Sequence, residues 1–270
     1  MDMGRTKLIN LWYRIYADFL MPSRLLIYSR FLEEVLRRGY AICSVARFWE
    51  KIEKGQAHPR EKYFVLRHDV DTDTATAKAM WQIEQALGVR SSYYFRLTTL
   101  DISFMRDIAL SGGEASYHYE ELATVAKQNH LKSRDQVFRE MPTIRKLFHE
   151  NLKILREKSG LPLNIVASHG DFVNRKLKMY NWEILKDGDF RKTVGVDLEV
   201  YDDVFVRNIS RRHSDNLYPS FWKPENPLQA VRAEAPRVYV LVHPRHWRTN
   251  PKVNFVDNVH RVFEGVRYSL

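Results

Sequence analysis

The stretch Tyr63-Phe-Val-Leu-Arg-His-Asp-Val-Asp71 joins an apolar run to a cluster of charged side chains. Its four leading apolar or aromatic residues predict a buried β-strand that ends at Asp69. Because side chains alternate across a strand, Arg67 and Asp69 point to one face and His68 points to the other. Arg67 would keep Asp69 ionised, as a general base requires, while Asp71 lies just beyond the strand and can reach a metal ion.

Strand and helix patterns alternate on both sides of this stretch. Apolar residues at helical spacing predict helices at about 25–36, 46–54, 74–87, 103–111, 135–158 and 255–266. Short apolar runs predict further strands at about 40–45, 92–97, 115–118, 164–168 and 237–242. Such alternation is typical of a parallel sheet, either open or closed as a barrel. The region 172–236 is irregular, and loops with short strands are expected there, with apolar runs at 193–196 and 204–206.

The composition fits one catalytic domain in a reducing compartment. The chain has 270 residues and 44% hydrophobic content, enough for a full-sized core. Its single cysteine, Cys43, excludes an intrachain disulfide. Cations interrupt the apolar N-terminal residues too often for a signal peptide or a membrane span, so a cytoplasmic protein is predicted. The N-terminal segment either packs against the domain or forms an amphipathic helix in peripheral contact with a membrane.

The net charge of +10 would suit an anionic partner such as a nucleic acid, a membrane face or an anionic substrate. The sequence contains no helix-turn-helix, zinc-finger or RNA-binding signature, so no nucleic-acid partner is expected. It also lacks a phosphate-binding glycine loop, a dinucleotide fingerprint, a C-x-x-C pair and a G-x-S-x-G elbow. Most of the charge is therefore interpreted as solvated surface.

Polar side chains follow the predicted strands, and they should meet at one face because ligands bind at the carboxyl ends of parallel strands. Besides the first stretch, these strand ends carry Arg96, His118 and Glu120, His169 and Asp171, and His243. Imidazole and carboxylate groups are the ligand set of a divalent metal such as zinc, and a position left to water makes such a site catalytic. The residues predict a metal-dependent hydrolase.

Each of these residues also has a structural interpretation. The first stretch could be a solvated acidic turn or a helix N-cap, with Asp73 or Thr74 capping the next helix. Trp247 could wall an apolar pocket or fill the core. The remaining histidines are interpreted as surface or structural groups away from the strand ends: His58, His130, His149, His213, His246 and His260.

Five motifs, taken in order, resemble a divergent branch of the polysaccharide-deacetylase superfamily, which is carbohydrate esterase family 4-like. They are Leu66–Asp71, Gly88–Arg96, Gly113–Glu120, Ser168–Gly170 and Val242–Trp247. The resemblance implies a single-domain α/β protein, with a distorted (β/α) barrel of about seven parallel strands at 63–270 and an N-terminal helical segment packed on it at 1–62.

The resemblance also implies residue roles. Asp69 matches the base, His118 matches the first metal-binding histidine, and His243 matches the acid. Two positions depart from the common pattern: Val70 stands where a second aspartate is usual, which shifts the metal carboxylate to Asp71, and Leu122 stands where a second histidine is usual. The third ligand must then be His169 or Glu120.

The leading hypothesis is a hydrolase that removes an N-acetyl group from a sugar or glycan, using a zinc ion on Asp71, His118 and His169. Four residues are expected to bind substrate or support the site: Arg67, Arg96, Glu120 and Trp247. One alternative keeps the metal but hydrolyses an amide or ester of a nucleotide- or lipid-linked, anionic intermediate. The other alternative is an inactive barrel that binds glycan or serves as an assembly partner.

Overall fold

The computed structural model describes residues 3–58 and 61–269, and a curled, mostly parallel sheet forms its centre. Its strands are β1 (Ala41–Cys43), β2 (Tyr63–Val70), β3 (Ser92–Phe95), β4 (Glu114–Tyr119), β5 (Ile165–Ser168), β6 (Leu198–Glu199), β7 (Arg211–Asp215), β8 (Trp222–Lys223) and β9 (Arg237–Val242). All eight residues of β2 are buried, as its apolar run predicts.

The sheet order is β6-β5-β4-β3-β2-β9-β7-β8, with β1 paired to β2. β2 pairs with β9 along one edge and with β1 and then β3 along the other, all in parallel. Only β8 is antiparallel to its neighbour. Among the described strands no pairing joins β6 to β8, so the barrel is not closed by hydrogen bonds. The predicted α/β architecture of parallel strands is confirmed, with eight parallel strands where about seven were expected.

Helices alternate with the strands along the chain, and many of them cover the outer face of the sheet. They are α1 (Met3–Ile15), α2 (Leu25–Arg37), α3 (Val45–Glu53), α4 (Thr74–Ala86), α5 (Ile102–Leu110), α6 (Glu121–Gln128), α7 (Arg134–Ser159), α8 (Phe172–Leu177), α9 (Gly188–Thr193), α10 (Asp203–Val206), α11 (Leu228–Arg232) and α12 (Pro251–Ser269). The helices predicted from apolar spacing are present within a few residues of their expected bounds. Asp73 caps α4 by accepting the Thr76 N–H at 3.0 Å.

The irregular region 172–236 contains the expected loops and short strands, and it also contains short helices, which were not expected. Residues 193–196 form the end of α9 and the turn after it, and 204–206 lie in α10 rather than in a strand. Runs of three or four apolar residues are too short for periodicity to separate strand from helix. The strands of this region lie elsewhere, at β6, β7 and β8.

Alternation along β2 separates the two sides of the sheet. Phe64 faces outward and meets Phe31 of α2, with ring centroids 5.7 Å apart. Arg67 faces inward, where its guanidinium donates to the Tyr239 hydroxyl at 2.9 Å. Burying each large apolar side chain contributes about 1.5–3 kcal/mol, so the outward row of β2 fixes its register against the helices.

The N-terminal segment continues from α1 into one π-helical turn, Tyr16–Leu20, before α2. Cys43 is buried, and burial raises the pKa of its thiol to about 12. Within residues 3–58 and 61–269, none of the helices combines the length and the apolar character that crossing a bilayer requires. The division of the chain at residue 62 stays a prediction.

Candidate metal centre and catalytic site

Three side chains from the ends of three strands, β2, β4 and β5, converge at the carboxyl edge of the sheet. Asp71 follows β2, His118 lies in β4, and His169 follows β5. Oδ1 of Asp71 lies 3.4 Å from Nε2 of His118 and 3.6 Å from Nε2 of His169. One ligand atom from each lies within 4.8 Å of the others, so the three could hold one ion.

The hydrogen bonding of these groups fits a cation. Nδ1 of His118 lies 2.9 Å from the Ala167 carbonyl oxygen, which can only accept, so Nδ1 carries the proton and Nε2 presents a lone pair to the site. Oδ1 of Asp71 is buried and accepts no hydrogen bond from the described residues. Burial raises the pKa of Asp71, but the nearby imidazoles of His169 and His118 outweigh it and hold this pKa well below its usual range. A buried carboxylate without a donor is costly unless a cation faces it.

Asp69 lies beside this group but is held differently. Nε and Nη2 of Arg67 each donate to one oxygen of Asp69 at 2.7 Å, forming a buried two-pronged pair. Oδ2 of Asp69 also lies 3.4 Å from Nε2 of His118. This two-pronged contact, the Arg67 fork, already balances the charge of Asp69, whereas Asp71 has no such partner. The geometry therefore favours Asp71 as a ligand and leaves Asp69 as a fixed carboxylate next to it.

Glu120 and Arg96 stand behind His169. Nη2 of Arg96 donates to both oxygens of Glu120 at 2.8 Å. Oε2 of Glu120 lies 3.2 Å from Nδ1 of His169, although the ring N–H is not aligned with it as a hydrogen bond. Burial raises the pKa of Glu120, but His169 and Arg96 outweigh it and hold this pKa well below the usual range. Glu120 thus lies where it can orient the ring of His169.

His243, at the end of β9, is paired with a carboxylate that the sequence-based site did not include. Nδ1 of His243 lies 2.7 Å from Oδ1 of Asp215, the last residue of β7. Burial lowers the pKa of His243, but Asp215 outweighs it and raises this pKa to about 9. Asp215 itself is fully buried, and its pKa is held well below its usual range by His246 and His243, against the effect of burial.

Two further residues surround Asp215. Trp247 is buried and donates its indole N–H to Oδ2 of Asp215 at 3.0 Å, so it supports the site from the core and does not wall an apolar pocket. Nδ1 of His246 lies 3.1 Å from Oδ1 of the same carboxylate. The sequence-based placement of His246 away from the strand ends is wrong, because the short turn Pro244–His246 folds back directly after β9.

His68 points away from these groups, as strand alternation predicts. Its Nδ1 lies 3.0 Å from the Ser92 carbonyl oxygen, and its Nε2 lies 2.9 Å from both the Tyr28 hydroxyl and Oε1 of Glu84. The ring stacks on Tyr93 at 4.0 Å between centroids. His68 is therefore part of a buried polar network between the sheet and the helices α2 and α4.

A cleft of about 730 Å³ leads to the site, within the 300–1,000 Å³ typical of ligand pockets. Asp71 and His169 lie in its wall, and α12 forms the opposite side. The cations Arg175 and Lys252 also line it and are exposed. Asp69, His118 and His243 do not contribute to its wall, so the cleft reaches the three converging side chains from the α12 side.

Neither a protein-family profile nor a curated protein matches this sequence. Among solved structures, the chain is similar to a CE4 family pseudoenzyme from Bacillus anthracis, with 12% identity, a TM-score of 0.41, and coverage of 77% of this chain and 63% of that one. It therefore spans less than two thirds of that protein. It is also similar to the Streptococcus pyogenes deacetylase PplD in complex with acetate, with 9% identity, a TM-score of 0.46, and coverage of 86% and 85%.

A third similar structure is the peptidoglycan deacetylase PdaC from Bacillus subtilis, with 10% identity, a TM-score of 0.39, and coverage of 77% of this chain and 86% of that one. Deacetylases and a pseudoenzyme of the CE4 family are thus both among the structures that resemble this chain.

Proposed function

We propose that this chain is a metal-dependent hydrolase that removes an N-acetyl group from a sugar or glycan. One observation carries the proposal. The buried Oδ1 of Asp71 has no hydrogen-bond donor among the described residues and faces Nε2 of His118 and of His169. A carboxylate with two imidazoles is a three-ligand set that leaves a coordination position open for chemistry.

Asp71, His118 and His169 would hold the ion, with zinc as the proposed metal. When bound, the ion supplies Lewis-acid chemistry, polarising an acyl carbonyl and an attacking water. Glu120, fixed by Arg96, is proposed to keep the His169 ring in its ligating orientation. Both histidines would then bind through Nε2, with Nδ1 of His118 bonded to the Ala167 carbonyl and Nδ1 of His169 beside Glu120.

The protons of the reaction are proposed to move through Asp69 and His243. Asp69, fixed by the Arg67 fork, accepts the proton of the water whose oxygen attacks the acyl carbon. His243, protonated at neutral pH by its pairing with Asp215, donates a proton to the departing nitrogen as the C–N bond breaks. The products are the free amine and acetic acid, which ionises to acetate; Asp69 is left protonated and His243 neutral, and proton exchange with solvent restores both.

A second substrate class is favoured by the cleft. The exposed cations Arg175 and Lys252 line it, and a phosphate-bearing nucleotide- or lipid-linked intermediate would gain charge-assisted contacts there. The chemistry at the metal would be unchanged. The two substrate classes would differ in the group that lies in the cleft, away from the bond that is hydrolysed.

The test is release of acetate by zinc-loaded protein from N-acetylated sugar oligomers and from their nucleotide-linked forms. Turnover should fall by about 10²–10⁴ in Asp69→Asn, the effect of removing a positioned base. Asp135→Asn, an exposed carboxylate in the first turn of α7, is the matched control and should keep full turnover. Protein that binds no stoichiometric metal and releases no acetate from either substrate class would instead support a binding or assembly role.

A cytoplasmic location is also proposed. It is supported by the single cysteine of the sequence, which fits a reducing compartment. Fractionation of cells that express the full chain would test it, with recovery outside the cytoplasm as the contradicting result.

A further inference from the structure

The helix α12 carries its apolar residues on the side that faces solvent. Phe255, Val259, Val262 and Val266 follow one another at helical spacing, and three of them are exposed: Phe255 60%, Val262 66% and Val266 55%. Val256 and Phe263 widen this row, with 52% and 70% exposure. A helix at a protein surface normally turns its apolar row to the core, so this arrangement is reversed.

The opposite side of α12 packs on the protein through polar and aromatic groups. Asn254 donates to the Asp18 backbone carbonyl at 2.8 Å and is buried. Tyr268 is also buried. These contacts fix the rotation of α12 about its axis, so its outward apolar row cannot turn inward without breaking them.

A second outward row lies on α1. Leu8, Leu11, Trp12 and Ile15 have the i, i+3, i+4, i+7 spacing of one helix face, and they are 69%, 56%, 56% and 38% exposed. Tyr13 anchors the helix from another side by packing edge-on against Tyr218, with centroids 5.3 Å apart. Arg14 of α1 donates to Asn258 of α12 at 3.1 Å, so the two helices touch within one turn of both rows.

The charges beside the α12 row are cationic. On α1, Arg14 pairs with the buried Asp18 at 2.6 Å. On α12, Lys252 and Arg267 are exposed near the two ends of the row. The acids of α12 point elsewhere and are paired, Asp257 with Arg245 and Arg261, and Glu264 with Lys127. An exposed apolar row on a surface helix marks an interaction site, and the cations beside it select a negatively charged partner.

We infer that the outward rows of α1 and α12 form a docking surface for an anionic lipid bilayer. Apolar side chains would enter the headgroup region while the flanking cations meet lipid phosphates. A second copy of this chain is disfavoured as the partner, because it would bring the same cationic margins together. Val256 belongs to the exposed row and also lines the cleft, so docking would place the cleft mouth at the membrane surface.

Vesicle binding of the full chain tests the inference without any catalytic readout. The protein should co-sediment with vesicles of phosphatidylcholine and phosphatidylglycerol in equal parts, and bind pure phosphatidylcholine vesicles at least tenfold more weakly. Raising the salt from about 0.1 M to about 1 M should release it, because the screening length falls from about 10 Å to about 3 Å. Two double variants, Phe255→Ser/Phe263→Ser and Leu11→Ser/Trp12→Ser, test the apolar rows. Each should weaken binding by about tenfold or more, because each removes two apolar side chains that would enter the bilayer.

Leu110→Ser/Ile154→Ser is the matched control, because these side chains are 86% and 45% exposed on α5 and α7, near the opposite end of the barrel. It should bind like the parent, and thermal melting should show that all variants remain folded. Equal binding to both vesicle types, an equal loss in the control, or a dimer that the same phenylalanine variants dissociate would each overturn the inference. Asp69→Asn should bind vesicles normally, so failure of the proposed hydrolysis and failure of docking are separate results.

Discussion

Asp215 holds His243 at two points. One carboxylate oxygen lies 2.7 Å from Nδ1 of the ring, and the other accepts the backbone N–H of His243 at 2.8 Å. The ring orientation and its protonated form are therefore stabilised by the same buried anion. Because Nδ1 is occupied by Asp215, Nε2 is the nitrogen left to donate a proton.

The pKa of His243 can be measured directly in metal-free protein by following its ring protons with NMR. It should titrate near pH 9, because Asp215 favours the charged ring more than burial disfavours it. In Asp215→Asn burial is no longer opposed by this charge, so the pKa should fall toward or below 6.5. The exposed His149 on α7 serves as an internal control whose ring resonances should be the same in both proteins. An unchanged His243 titration in Asp215→Asn would contradict the pairing.

The pH dependence of stability follows from the same pair. The pKa of His243 is higher in the folded state than its ordinary 6.5, so its contribution is complete below pH 6.5 and is lost as the pH rises through about 9. The free energy of unfolding of metal-free protein, compared with that of His243→Gln, should therefore show an excess that shrinks between pH 6.5 and 9. Urea denaturation at a series of pH values measures it. An excess that grows over this interval would contradict the assignment.

Asp69 and Asp71 should respond differently to the same substitution. Asp71→Asn removes the negative ligand between His118 and His169, so purified protein should lose stoichiometric zinc in elemental analysis. Asp69→Asn should keep its zinc, because Asp69 is already balanced by the Arg67 fork. Loss of zinc in Asp69→Asn with retention in Asp71→Asn would reverse the two proposed roles.

Glu120 should affect metal affinity through His169. Replacing Glu120 by Gln removes the anion 3.2 Å from Nδ1 of His169, and outer-shell changes of this kind cost about 10–100-fold in metal affinity. Zinc titration calorimetry checks it, with Glu264→Gln, a carboxylate of the same cleft that binds Lys127, as the control. If the Glu120 variant loses zinc entirely while His169→Gln retains it, Glu120 itself is the third ligand.

The sequence predicted those site residues that follow apolar strands. β2, which precedes Asp71, and β4, which contains His118, are largely buried, and their parallel pairing with β3 between them brings the two residues to one edge. Asp215 could not be found in the same way, because β7 reads Arg-Arg-His-Ser-Asp and contains no apolar run. β7 is held by backbone pairing with β9, and the burial of its alternate residues His213 and Asp215 is visible only in the structure.

The contacts of Arg96 and Trp247 also could not be predicted from the sequence. Their positions in the motifs predicted that they support the site, but the sequence alone does not indicate which group each side chain contacts. Arg96 reaches Glu120, 24 residues away, and Trp247 reaches Asp215, 32 residues away. Side-chain contacts across so many residues depend on strand order, which alternation of apolar and polar residues does not encode.

A buried hydrogen-bond network around His68 links β2 to α2 and α4. The Tyr28 hydroxyl donates to Oε1 of Glu84 and lies 2.9 Å from Nε2 of His68, and all three groups are buried. Tyr28→Phe removes the hydrogen bond from this hydroxyl to the Glu84 carboxylate, and a hydrogen bond to a charged group contributes about 1.5–3 kcal/mol. The free energy of unfolding should fall by that amount in urea denaturation, while zinc binding stays unchanged because His68 points away from Asp71.

Tyr180→Phe is the control for that experiment, because Tyr180 is 40% exposed and surface substitutions stay within about 0.5 kcal/mol. A Tyr28 variant of full stability that lost its zinc would mean that His68 contacts the metal site. The expected result is lower stability with intact metal binding. It would assign different roles to alternate residues of the segment Arg67–Asp71. Arg67, Asp69 and Asp71 would serve the chemistry, and His68 would fasten β2 to the helices that hold it in place.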